Sequence, residues 1–189
     1  MTWRLLVLIL SAAPQFSVSS WKSSKGVDSR ELRFTDKAGD HVVRFVLGAE
    51  RVTKKDDSIE RSRELLVTHT VGPKELWRAK DFVEKCEFDL TLEVVEGSIE
   101  VTDLDADGEA EVSFLYRQAC RSDVSPLTAK LLMYEGATKY ALRGETRERV
   151  GETEYVGGDF KVDPSFEQAP KAFLEFAKAK WKTLLLAPR

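Results

Sequence analysis

The chain has 189 residues, 42% of them hydrophobic and 32% charged, with a formal net charge of −3. That balance suits one domain with a real core. No block of Lys and Arg stands out, so nucleic acid is not an expected partner.

Read in order, the chain opens on Met1-Thr2-Trp3-Arg4, a single positive charge, followed by an uncharged apolar run from Leu5 to Ala13. Ser17-Val18-Ser19 then places small residues where a signal peptidase reads them, so 1–19 is expected to be a secretory signal peptide. No Cys lies near its end, which disfavours a lipid anchor, and no later stretch is apolar enough to span a bilayer. Residues 20–29 read as a flexible polar lead, and 30–186 as a single β-rich domain.

Arg30 to Phe34 reads as the first strand, and Asp36 to Asp40 as a turn in which Gly39 can take positive φ. His41 to Val52 follows as a second strand, and Ser62 to Val71 as a third. Leu76 to Cys86 is open between helix and strand, leaning to strand in its first half. Phe88, Leu90, Leu92 and Val94 alternate with polar residues and mark a one-faced strand.

Ser98 to Tyr116 reads as strand, acidic loop, strand: Ile99 and Val101 share one face before the loop, and Val112, Phe114 and Tyr116 share one after it. The loop is Asp103-x-Asp105-x-Asp107-Gly108-x-x-Glu111. Calcium wants six to eight oxygens; Asp at alternate loop positions can converge on one point, Gly permits the sharp turn, and the carbonyl of Glu109 can turn inward. An EF-hand needs Glu at loop position twelve, where this chain has Phe114, so Glu111 is the residue left to close the shell. Like charges about 4 Å apart repel by roughly 4 kcal/mol at an effective dielectric near 20, so carboxylates that converge need a cation. The pattern resembles the strand–loop–strand calcium sites of integrin-type β-repeat proteins. The expected metal residues are therefore Asp103, Asp105, Asp107, Glu109 and Glu111, and the expected cofactor is calcium.

Cys86 and Cys120 are the only cysteines, and in an exported chain such a pair most simply forms a disulfide. Beyond them Ala129 to Tyr134 and Lys139 to Arg143 form a hairpin across Glu135-Gly136-Ala137-Thr138. Gly151, Gly157 and Gly158 mark a looser charged stretch. At about 166–185 the period changes: Phe173, Phe176, Ala177, Trp181 and Leu184 recur at helical spacing, with Lys171, Lys178 and Lys182 elsewhere on the wheel. This is expected to be an amphipathic helix capping the sheet, with a membrane surface as the alternative for its basic face. The fold class expected is α+β, mainly β: an antiparallel meander of about 7–9 strands with that helix packed on it.

Phe34 to Phe45, LWRAKDFVEKCEFDLTLEV, VTDLDADGEAEVSFLY, CRSDVSP, KLLMYEGATKYALRG and APKAFLEFAKAKW together resemble a family of exported bacterial proteins. That family is catalogued as surface polysaccharide biosynthesis protein, and it is found mostly in Gram-negative bacteria. The resemblance implies a link to envelope polysaccharide; with the signal pattern, the acidic loop and the cysteine pair, the expectation is a periplasmic or secreted protein with an envelope glycan or a protein as partner. The resemblance supplies no catalytic residues.

No G-x-S-x-G, H-E-x-x-H, P-loop or dinucleotide fingerprint occurs, so no catalytic residue is assigned and the reading leans away from an enzyme. Asp81, Asp89, Arg121 and Asp123 are the candidate ligand surface, because a bridge between Cys86 and Cys120 would draw their neighbours together. The expected function is a calcium-stabilised, non-catalytic envelope protein. The alternative is a calcium-dependent carbohydrate-active enzyme using the same Asp cluster.

Overall fold

The structure is a computed structural model and describes residues 14–55 and 58–185. Most of the expected signal peptide therefore lies outside the described residues.

Among the described residues fifteen strands and one α-helix build three layers. The first sheet contains β1 (Phe16–Val18), β2 (Lys22–Ser24), β3 (Val27–Asp36), β4 (Gly39–Leu47), β5 (Arg51–Lys55), β6 (Ser58–Val71) and β7 (Lys74–Cys86). The second contains β8 (Asp89–Val94), β9 (Glu100–Thr102), β10 (Glu111–Arg121), β11 (Thr128–Glu135), β12 (Thr138–Glu145) and β15 (Phe160–Val162). Between the last two, β13 (Arg147–Arg149) and β14 (Tyr155–Gly157) pair as a small separate hairpin. A 3₁₀ turn (Pro164–Glu167) leads to α1 (Lys171–Leu184).

The mainly β class with antiparallel sheets and one C-terminal helix is as expected. The meander, however, divides into two stacked sheets and has more strands than the sequence suggests. One extra pair replaces the expected flexible lead: Lys25 and Gly26, both at positive φ, make a two-residue turn that lets β2 pair with β3. The expected strand from His41 to Val52 is broken at Gly48, whose N–H bonds to the Glu64 carbonyl, and resumes as β5 along the same edge of β6. Leu76 to Cys86 is strand throughout, paired with β6, with register shifts opposite His69/Thr70 and Arg61/Arg63. The charged stretch after Glu145 contains β13 and β14.

The second sheet is buried on both faces, which periodicity alone could not show. Val112, Phe114 and Tyr116 of β10 face the first sheet, joining Leu32, Phe45, Val67 and Leu92 in one core. Leu115 faces the other way, into a second core with Leu131, Met133, Phe173, Ala177 and Trp181. The helix thus packs on the sheet rather than standing free. Lys180 is buried on this face, where its ammonium donates to Glu100 Oε2 (2.8 Å) and Ser113 Oγ (2.9 Å). Burial pulls its pKa down and Glu100 opposes that shift. Among the described residues no helix is long and apolar enough to cross a membrane.

The Cys86–Cys120 disulfide is formed, with Cα atoms 5.4 Å apart. It ties the end of β7 to the end of β10 and so bolts one sheet to the other.

Candidate metal centre

Thr102 of β9 and Glu111 of β10 are cross-strand partners, so the acidic loop closes a hairpin at one end of the second sheet. Ala106 and Gly108 both take positive φ, which Gly accepts without strain. The loop folds on its own side chains: Asp103 Oδ2 accepts from the Gly108 N–H at 3.2 Å, Asp105 Oδ1 from the Asp107 N–H at 3.3 Å, and Asp107 Oδ1 from the Glu109 N–H at 2.7 Å. Such Asx bonds fix the shape of the loop, with Asp105 and Asp107 remaining exposed on it.

Asp103, Asp105 and Glu111 place carboxylate oxygens within 4.8 Å of one another, and Asp105, Asp107 and Glu135 do the same. Oxygens on opposite sides of one calcium, each at 2.3–2.6 Å, stand no more than about 5 Å apart. The three oxygens of either group can therefore share an ion. Glu111 is fully buried and accepts from Thr102 Oγ1 at 2.6 Å and from the Leu104 N–H. Burial raises its pKa, those hydrogen bonds oppose the rise, and Asp105 and Asp103 add to it. Asp107 and Glu109 turn their side chains to Lys37, at 2.8 and 3.5 Å.

Glu135, the last residue of β11, is the site residue the sequence did not reveal. It stands cross-strand from Glu111, a juxtaposition that exists only once β10 and β11 pair. Its Oε1 is buried and accepts no hydrogen bond from the described residues. Burial, and then the charges of Asp105, Glu111, Asp107 and Glu109, push its carboxyl up to about 7.

A folded-state pKa above the unfolded value means that stability present at low pH is lost as pH rises, here between 4.5 and about 7. Glu135→Gln removes that loss. Without calcium the variant should gain about 1–2 kcal/mol over wild type, a figure discounted for solvent screening, as pH rises through this window. Urea unfolding at several pH values measures the difference, and a constant gap between the two proteins would show that Glu135 carries no such strain.

The loop is clasped from the first sheet. The Lys37 N–H donates to the Gly108 carbonyl at 3.0 Å, and the Ala110 N–H to Asp36 Oδ2 at 3.0 Å. Asp36 Oδ1 also accepts from the Ala38 N–H (2.7 Å) and lies 2.8 Å from His41 Nε2, while His41 Nδ1 lies 2.8 Å from His69 Nε2. The β3–β4 turn therefore joins the acidic loop to a buried histidine pair.

No family model, curated protein or solved structure matches the chain.

The other expected ligand surface is not gathered into one place. Asp81 is partly buried on β7, where it accepts from Tyr116 Oη at 2.7 Å and pairs with Lys130. Burial raises its pKa, but the bonds from Lys130 and Tyr116 outweigh that and hold the carboxyl low. Asp89 and Arg121 are cross-strand partners at the far ends of β8 and β10. Asp123 is exposed and caps its own turn through the Ser125 N–H (3.0 Å) and hydroxyl. The small cavity that Asp81 lines includes none of the other three. Trp77, Tyr134 and Tyr140, which could have offered sugar-stacking faces, are core residues: Trp77 and Tyr134 stack on each other at 3.8 Å. What the acid cluster can do chemically is hold a hard cation.

Proposed function

We propose that the chain is an exported, calcium-stabilised, non-catalytic envelope protein that binds or supports surface polysaccharide. The observation that carries the metal reading is the convergence of Asp103, Asp105 and Glu111 within 4.8 Å, with Glu111 sealed into β10. Those three would hold the ion, with Asp107 and Glu135 beside it, and calcium would supply two positive charges to a cluster that Lys37 meets at Asp107. Hard carboxylate oxygens in an irregular loop suit calcium better than magnesium, which demands near-octahedral geometry. Export is supported by the N-terminal pattern and by the disulfide. The tie to polysaccharide rests on the family resemblance.

Thermal unfolding with and without calcium tests the reading. An ion present at a hundredfold excess over its Kd stabilises by about 2.7 kcal/mol. For a domain of this size that is a rise in Tm of roughly 5–10 °C. Asp105→Ala, at an exposed position, should fold and lose the rise, and magnesium should give a smaller one. A melting curve that saturating calcium leaves in place would remove the metal from the account.

A further inference from the structure

Beside α1, residues of the helix together with Arg147 of β13, Gly158 and Phe160 of β15 line a cavity of about 360 Å³. Its size falls at the small end of ligand pockets. Phe160, Trp181 and Leu185 supply its apolar lining, and Arg147, Lys178 and Lys182 its charge. Among the described residues no acidic side chain lines it, and none of these three cations is paired with a carboxylate. Arg147 is held in place over the Tyr155 ring, 4.5 Å from its centroid. Lys178 and Lys182 are one helical turn apart, so two like charges share one face at a cost that a bound anion would relieve.

The lining also restricts what can enter. The Trp181 indole N–H already donates to the Gly158 carbonyl at 3.3 Å, so these two polar groups satisfy each other. The back-to-back positive φ angles of Gly157 and Gly158 turn the chain there. Sugar hydroxyls placed against Phe160, Trp181 and Leu185 would find no partner and would be costly to bury. Methylene groups would find apolar contact there and along the stems of the two lysines.

We propose that this cavity binds a fatty-acid-like anion, with its acyl chain against Phe160, Trp181 and Leu185 and its carboxylate among Arg147, Lys178 and Lys182. None of these residues belongs to the acidic loop, so the inference stands or falls apart from the calcium reading.

Isothermal titration of the whole folded chain with decanoate, octanoate and decanol tests it. Decanoate should bind roughly fifteenfold more tightly than octanoate, since each of its two extra methylenes is worth about a fourfold gain when buried. It should also bind at least tenfold more tightly than neutral decanol. Lys178→Gln combined with Lys182→Gln, both at exposed positions, should weaken decanoate roughly tenfold and leave decanol binding and Tm unchanged. Equal binding of decanoate and decanol would overturn the proposal, as would no heat with either. Binding of polygalacturonate without decanoate would overturn it in favour of an acidic glycan. Capture by phosphatidylglycerol vesicles without binding of monomeric decanoate would overturn it in favour of a membrane-surface role for the basic helix face.

Discussion

Reduction of the Cys86–Cys120 bridge should lower stability by about 3–4 kcal/mol, the loop-entropy value for a closure of this length. For this chain that is a fall in Tm of roughly 10 °C. The loss should exceed that of a surface substitution because the bridge joins two separate sheets. β7 and β10 are not hydrogen-bonded partners, and the bonded neighbours of β10 are β8, β9 and β11. The acidic loop lies within the closed segment, so reduction also loosens the framework that aligns Asp103 with Glu111. The double variant Cys86→Ala with Cys120→Ala separates loss of the covalent link from any effect of the reductant on other groups. Thiol counting after denaturation establishes that the bridge is open. A reduced protein that melts with the oxidised one would show that packing between the sheets suffices.

Acidification from pH 6.5 to about 4 should destabilise the fold through His69, by up to about 3 kcal/mol. The tautomers follow from the hydrogen bonds. Asp36 accepts a hydrogen bond from the His41 Nε2–H, which leaves His41 Nδ1 to accept one from the His69 Nε2–H. The remaining nitrogen, His69 Nδ1, is buried and has no partner among the described residues. A second proton would have to sit there, facing no acceptor, with the Trp77 ring against one side of the imidazole. Burial, and then the nearby His41, pull the His69 pKa from 6.5 to about 4, while Asp36 works weakly the other way. The folded state thus binds fewer protons than the unfolded chain across this window, so stability rises with pH there and is complete above 6.5. Glu135 acts in the opposite direction between 4.5 and about 7, and the two must be separated. His69→Gln, neutral at every pH, provides the comparison: the wild-type curve should fall away from the variant on acidification. Parallel curves would mean that the pair accepts its second proton without strain.

Much of the local structure was legible because alternate residues of a strand share a face, so a run of apolar residues two apart marks one side of it. Leu92 and Val94, or Val112, Phe114 and Tyr116, could be assigned to one side before any pairing was known. The helix was legible for the same reason at a different period, and the cysteine pair because the chain has only two cysteines and so only one possible bridge. Glu111 and the three Asp residues could be read as a group because they lie in one short loop. Lys180 was missed because an ammonium on an apolar helix face has a meaning only when Glu100 and Ser113 stand opposite it. The scattering of Asp81, Asp89 and Asp123 was likewise invisible. A disulfide brings two Cα atoms together, but it does not decide which way neighbouring side chains point, and those alternate along each strand.

By itself the sequence determined the periods, the turns, the acidic loop and the cysteine pair, since each depends on residues close together in the chain. Only the tertiary structure decided that there are two sheets, that Glu135 joins the loop, and that Asp36 links the loop to His41 and His69. Those contacts depend on strand register and sheet stacking. Both are set by burial summed over the whole core, a quantity that no local segment carries.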